Sequence, residues 1–461
     1  MSKDIRLIKV NKLQEIYVKM KKYIDCLFLI MFALKYLVQF LGTTSLSVSS
    51  LGLFFSISSS IADITFILSI VILLMVSIFF EKVVIFDKIL AVIVLLVSVI
   101  YVMFSDNSST EIVEFLIITV LAINKSYKKI LFVTIIEGCS IMIIYMLLSQ
   151  LGIIDDYVSP VGRHALGMIY CTDCGAHILF LVIAYVIYSG FKMRLKNSFI
   201  MLVTAEVLLF IVNAKTAFLC VVMIMIGLFI NKYNKKMLSK FKWIMLFIYP
   251  ILFGVFVLLI FLYSKNPRLF PDNTLTARLY YSKLGFEKYG ITLFARNIYQ
   301  NGSPVRTLSE GEGKELNIKH FLFAVMILII IVGILYLIKR EKKIVSGLLF
   351  IVLSILLFSV YILAKNNYLL ESSNVERSVE YFYLDSSFIQ ILLKHGIVVV
   401  STILILVTYM QYKAFKAENY IFMFIMSVIV LDCTIEHHMM DISYNMIFLL
   451  ALTDVYEKSK N

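Results

Sequence analysis

Hydrophobic residues run along this chain in long uninterrupted stretches separated by short polar breaks, without the period-two alternation of strands. A bilayer crossing needs roughly 20 consecutive apolar residues in a helix. On that measure the pattern predicts about fourteen crossings, near 24–43, 64–80, 88–104, 112–124, 130–150, 174–191, 198–213, 215–230, 243–263, 320–338, 344–364, 384–411, 420–433 and 442–456. The fourth is short. The seventh and eighth form one apolar stretch, divided here at Asn213-Ala214-Lys215. Prolines occur only at Pro160, Pro250, Pro267, Pro271 and Pro304, so nearly every stretch can be helical without a break.

Composition agrees with the pattern: 61% of the 461 residues are hydrophobic and 16% charged. Soluble domains carry about 25% charged residues, and disordered chains combine low hydrophobicity with high charge, so both classes are excluded. A membrane barrel would show short alternating segments. The expected fold class is an all-α polytopic membrane protein.

The net charge of +13 acquires meaning only when it is placed loop by loop. With the N-terminus cytoplasmic, inner loops hold 28 of the 43 Lys and Arg residues and outer loops 13. Both termini are therefore expected inside. Nine of the outer charges lie in one loop, 264–319, which includes the amphipathic, aromatic and basic run "NTLTARLYYSKLGFEKYGITLFARNIYQNG", a pattern suited to lying on the membrane face. The predicted organisation is a basic cytoplasmic segment at 1–23, helices one to nine over 24–263, the outer loop 264–319, a hairpin over 320–364, a second outer loop 365–383, the last three crossings over 384–456 and a tail at 457–461. The first segment has the basic, half-apolar pattern of an interfacial helix. No cleavage site follows it, which predicts that the first crossing is retained.

Cations gather on the expected outer side: Arg163 and His164 before the sixth crossing, Lys215 between the seventh and eighth, and Arg268, Arg278 and Arg296 in the large loop. Arginine forks match phosphate oxygens, so the group predicts an anionic ligand such as a lipid phosphate; headgroup snorkelling is the plainer role for any one of them. Asp385, in "YFYLDSSFIQILLKHG", and Glu436 with His437 and His438, in "DCTIEHHMMD", could accept a proton from a sugar hydroxyl. Asp385 could equally cap the following helix. Adjacent histidines on a helix point to different sides, which argues against a metal site there. Of six cysteines only Cys171 and Cys174 stand close, as "CTDC", without the βαβ context of a thioredoxin-like pair. No phosphate loop, Walker motif or nucleophile elbow occurs.

Three stretches together resemble the Wzy-type polysaccharide polymerases, within the O-antigen ligase-like superfamily. "RHALGMIYCTDCG" is similar to the family's Arg-x-x-x-Gly-Phe-x-His-Pro-Asn-x-x-Gly in Arg163, Gly167 and Gly175. "ARLYYSKLGFEKYGITLFARNI" resembles its Arg-Leu, Tyr-Gly and Leu-Phe-Gly elements, and "LDSSFIQILLKHGIV" its Asp-Asn-Ser-Tyr and following Gly-Ile. The stretches cover about a tenth of the chain. Tyr170, Cys171 and Thr172 stand at the His-Pro-Asn positions, Lys215 stands where many members have arginine, and Ala295 replaces a glycine. The 302–383 segment, with its two apolar runs, replaces a single long loop.

The resemblance implies a glycosyltransferase of the cytoplasmic membrane that joins repeat units at the outer face, in capsule or surface polysaccharide synthesis. Donor and acceptor would be undecaprenyl-diphosphate-linked oligosaccharides, with a chain-length regulator and a flippase as partners, no nucleic acid, no cofactor and no metal. Arg163, His164, Lys215, Arg278 and Arg296 would hold the diphosphate, and Asp385, Glu436 or His437 would take the hydroxyl proton. The competing readings are a lipid-linked oligosaccharide flippase, which tends to show repeats and interrupted midplane helices, and the related glycan ligase.

Overall fold

The computed structural model describes residues 2–45, 47, 52–79, 84–104, 111–154, 156–159, 162–192, 195–270, 274–296, 298 and 383–456. The crossings expected at 320–338 and 344–364, the outer loop beyond residue 298, nearly all of 365–383 and the tail 457–461 lie outside the described residues.

Everything described is helix or connection. The elements are α1 (Ser2–Gly42), α2 (Gly52–Phe79), α3 (Ile85–Phe104), α4 (Glu111–Leu121), α5 (Tyr127–Gln150), α6 (Cys171–Tyr188), α7 (Leu195–Glu206, extended by a π turn at Val207–Ile211), α8 (Lys215–Tyr233), α9 (Lys235–Lys240), α10 (Lys242–Leu246), α11 (Ile248–Lys265), α12 (Thr274–Tyr289), α13 (Ser387–Lys416), α14 (Tyr420–Ile435) and a 3-10 stretch at Met446–Leu452. Eight of them, α1, α2, α3, α5, α6, α8, α11 and α13, are long and apolar enough to cross a membrane, and α7 with its extension and α14 are shorter apolar helices. The protein is a helical membrane protein.

Sidedness of burial follows from lipid being as good a solvent for leucine as a protein core is. Ile57, Ile61, Ile64 and Leu68 of α2, with Leu96, Val99 and Val102 of α3, face outward. Inward, α6, α13 and α14 build the centre around Phe180, Phe388, Phe422 and Met410.

Three expectations are revised. The segment 1–23 is no separate interfacial helix, because α1 is continuous from Ser2 to Gly42 and no glycine or proline precedes Gly42 to break it. The helix at the expected fourth crossing, α4, has only 11 residues, about 16 Å of helix, and lies buried. Residues 442–456 form no α-helix: chain reversal at 436–445 leads into seven 3-10 residues, all buried. That segment still returns from the C-terminal end of α14 to its N-terminal end, where Asn419 Nδ2 donates to the Tyr456 carbonyl at 3.1 Å. One face of α12 packs on the bundle. It inserts Leu279 among Phe256, Ile260 and Tyr263 of α11 and Ile389 and Leu393 of α13.

One break positions the site. Gly396 turns α13 aside at φ 85°, ψ 170°, freeing backbone groups from the helical ladder. A non-helical run, 292–296, meets them: Ile397 N donates to Thr292 O at 2.9 Å, Val398 N to Leu293 O at 3.2 Å, and Arg296 N to Lys394 O at 3.1 Å. A Cβ at Gly396 would sit 2.6 Å from the Leu293 carbonyl oxygen.

Gly396→Ala should therefore lower the thermal midpoint of the detergent-solubilised protein, by more than about 2 kcal/mol of stability, since both left-handed strain and a backbone clash oppose it. Gly254→Ala on the exposed side of α11, where a Cβ meets nothing within 4 Å, should leave the midpoint unchanged or raised.

Candidate functional site

One end of the bundle collects the C-termini of α1 and α14 and the N-termini of α6, α8 and α13. Backbone pairing ties α1 to the loop before α6, with Ile169 N donating to Thr43 O at 2.9 Å and Ser45 N to Gly167 O at 3.0 Å. Ser387, opening α13, donates from its N at 3.2 Å and its Oγ at 2.5 Å to the Glu436 carbonyl just past α14. Where these ends converge lies a cavity of about 360 Å³, lined by Arg163, Lys215, Arg278, Asp432, Glu436 and His438 among others.

The cavity wall includes the first residues of α6, Cys171 and Thr172, and of α8, Lys215 and Thr216. Their helices are tight together: a Cβ on Gly175 would fall 2.6 Å from the Ala214 Cβ. Asn213, at φ 52°, makes the sharp entry to α8. Two helix N-termini present unbonded N–H groups and positive dipole ends, and three cationic side chains add whole charges. This part of the wall is therefore electropositive, and the carboxylates of Asp432 and Glu436 bring the opposite charge to the same lining.

Arg278 on α12 organises the acidic side. Its Nε donates to the Ile435 carbonyl at 2.7 Å, capping the C-terminus of α14, and Nη2 donates to Glu436 Oε1 at 2.9 Å. Asp385 Oδ2 stands 3.8 Å from Nε. Burial pushes the Glu436 carboxyl up to about 7, with Arg278 pulling it back and Asp385 adding to the rise. Asp385 is also raised by burial, against the pull of Arg278. Helix capping is not its role, because Ser386 is the N-cap of α13. Arg163 is held by its backbone, Ser159 N donating to its carbonyl at 2.9 Å and Cys171 Sγ at 3.1 Å, while its side-chain Nε has no hydrogen-bond partner.

Arg163, Lys215, Arg278 and Glu436 thus meet at one cavity, and Asp385 stands beside Arg278 without being part of its lining. His164 does not join them: its Nδ1 pairs with Asp156 Oδ2 at 2.5 Å, and Asp156 also accepts from Leu166 N at 2.7 Å, so this pair folds the loop. Arg296 is exposed and turns back to the Tyr289 carbonyl at the end of α12. Arg268 is exposed and lines no part of the cavity. Cys171 and Cys174 are free thiols. His437 opens instead on a second cavity of about 540 Å³, whose lining includes Lys35, Asp63, Glu114, Lys394 and Asp441.

Two carboxylates escaped the sequence reading. Asp432, buried with Oδ2 unpartnered, sits one helical turn before Glu436, and Asp173 is in the first turn of α6. Their signal is an acidic residue inside an apolar run, which membrane interiors tolerate only with a purpose. The argument that adjacent histidines must diverge also fails here, because the chain leaves α14 at Glu436 (φ −116°, ψ 157°) and bends at Glu436 and His437, so helical spacing no longer sets where the two rings point. The His437 and His438 rings lie 4.3 Å apart, and with Asp173 they form a group whose side-chain donors could hold a metal ion. Burial pushes both imidazoles down to about 3, leaving them neutral.

Comparison of the chain with protein-family models, curated proteins and solved structures finds no match. The site must be read from its own chemistry.

Truncating one partner of a buried pair strands the other. Arg278→Met should destabilise the protein by about 3 kcal/mol in denaturant unfolding, and adding Glu436→Gln should recover part of that loss, a coupling that independent sites would not show.

Proposed function

We propose that this protein is a membrane glycosyltransferase of the polysaccharide-polymerase type, joining polyprenyl-diphosphate-linked repeat units at the outer face of the cytoplasmic membrane. The observation that carries the reading is the gathering of Arg163, Lys215 and Arg278 with two helix N-termini around one cavity, beside the carboxylate of Asp385. The likeness of three stretches of sequence to the Wzy-type family supports the same reading.

In this reading the N-terminus is cytoplasmic and the chain crosses fourteen times, counting the hairpin of 320–364 and the two short buried crossings at α4 and the 3-10 stretch. The diphosphate of the donor lies among Arg163, Lys215 and Arg278. The acceptor hydroxyl oxygen bonds to the anomeric carbon of the donor glycan. The bond from that carbon to the diphosphate oxygen breaks, its electron pair leaves on the diphosphate, and the three cations stabilise the charge that grows there. Asp385 receives the hydroxyl proton, being the more open of the two carboxylates near Arg278, with 31% of its side chain exposed against 15% for Glu436. Glu436 holds the guanidinium in place. His164 and Arg296 fall out of the diphosphate set because their side chains are engaged elsewhere.

Deleting the gene should leave single lipid-linked repeat units on the outer face of the membrane, detected by labelling intact cells. Units confined to the inner leaflet would identify a flippase, and full-length polymer left on its lipid carrier would identify a ligase. Either outcome would sink the polymerase reading.

With purified protein and a lipid-linked substrate, Asp385→Asn should reduce the rate by about 10²–10⁴. A base must be unprotonated, so the wild-type rate should fall as pH drops through the Asp385 pKa, and burial places that fall above the range of an exposed aspartate. The residual rate of the variant should lose this acid limb. Retention of the limb would assign it to another group.

A further inference from the structure

We propose that Asp173, His437 and His438 bind a divalent transition-metal ion of the zinc class in the wall between the two cavities. The inference rests on the side chains alone and stands or falls independently of the polymerase reading.

The three residues come from two places at the same end of the bundle: Asp173 from the first turn of α6, and both histidines from the bend that follows α14. One ligand atom from each can be chosen so that all lie within 4.8 Å of one another, and His438 Nε2 is 3.7 Å from Asp173 Oδ1. Zinc bonds of about 2.0–2.1 Å to nitrogen and oxygen put tetrahedral ligand atoms about 3.3 Å apart. Modest rotation of the side chains closes that gap.

The second observation is that the nitrogens needed for ligation are idle. His438 is 0% exposed, yet neither of its ring nitrogens has a hydrogen-bond partner, and His437 Nδ1 is buried and unpartnered too. Buried polar atoms are ordinarily satisfied, and a group of orphans facing one carboxylate calls for a ligand. His177 close by differs in degree: its Nε2 bonds to Thr43 Oγ1 at 2.8 Å and its ring is stacked between Phe40 and Tyr444, so only its Nδ1 is left over, whereas His438 leaves both nitrogens and faces the Asp173 carboxylate. It is a packed core histidine.

The backbone that carries the histidines is held on both sides. Met439 N donates to Ser387 Oγ at 3.1 Å, Asn445 Nδ2 donates to Met439 O at 3.2 Å, and Tyr444 packs on the His438 ring at 4.2 Å. Ligands supported in this way lose little freedom on binding. Two imidazole nitrogens and one carboxylate oxygen suit zinc and its neighbours, whereas calcium and magnesium prefer all-oxygen sets. Three protein ligands leave one position open for water or a substrate oxygen. His438 borders the first cavity and His437 the second, so that position is reachable from the site end.

The test uses the full chain in detergent, stripped with a chelator, equilibrated with Zn²⁺ or Co²⁺ and desalted. About one ion per chain should be retained, and the Co²⁺ form should show the visible absorption of a four-coordinate ion with nitrogen and oxygen ligands. His438→Gln and Asp173→Asn should each weaken retention by more than about a hundredfold, while His164→Gln, on the separate Asp156 pair, should retain the ion. The Co²⁺ spectrum needs no variant, so it decides even if one fails to fold. No retained ion, equal retention in all variants, a six-coordinate spectrum, or the near-ultraviolet charge-transfer band of a cysteine ligand would each overturn the proposal.

Discussion

Backbone N–H and C=O groups inside a bilayer have no water to bond, so every departure from a regular helix at membrane depth must find its partners within the protein. Three such departures among the described residues bear on the site. The break of α13 at Gly396 is met by the run 292–296. The end of α14 is met by Arg278, whose Nε takes the Ile435 carbonyl. Ser387 takes the Glu436 carbonyl with both its N and its Oγ. Each repair draws a segment of the large loop or of α13 onto the same end of the bundle. The cationic cavity sits where those repairs converge.

Charged pairs within the bundle follow the same economy. Lys35 bonds Asp63 at 2.5 Å and Glu114 at 2.9 Å, joining α1, α2 and α4. Lys413 pairs with Asp87 at 2.9 Å across α13 and α3, and Lys125 with Asp25 at 3.0 Å. A pair buried on both sides, as Lys413–Asp87 is, adds little net stability over an apolar replacement but is very costly to leave half-formed. Their effect is to select one arrangement of helices that apolar packing alone, weak in lipid, would leave open. With α1, α3 and α13 pinned, the loop ends they carry arrive in register at the site.

The short buried elements also have a use. The 3-10 stretch at Met446–Leu452 and the 11-residue α4 pack together near the centre, shielded from lipid by the longer helices. Irregular backbone is tolerated at that depth because protein surrounds it. It lets the chain double back directly after Glu436, and the tight reversal places two histidines, two carboxylates and Tyr444 in a small volume between the cavities. A straight final helix would have spread those residues along its length.

Sequence alone determined the class, an all-helical membrane protein, because apolar run length and backbone satisfaction in lipid leave few alternatives. It also placed the break at Asn213–Lys215 and pointed to Arg163, Lys215, Arg278 and Glu436, since uncompensated charges at helix ends are rare enough in such a chain to stand out. What it missed were matters of direction. Nothing local told that His164 would turn to Asp156, that Arg296 would fold back on its own helix, or that Asp432 would face the cavity from within α14. Whether His437 and His438 diverge or converge depends on the chain leaving α14 at Glu436, and that exit is set by Ser387 and Arg278, residues distant in sequence. Charge and hydrophobicity are properties of residues and can be read along the chain, but which partner a charge finds is decided by long-range packing, and only the tertiary structure holds that.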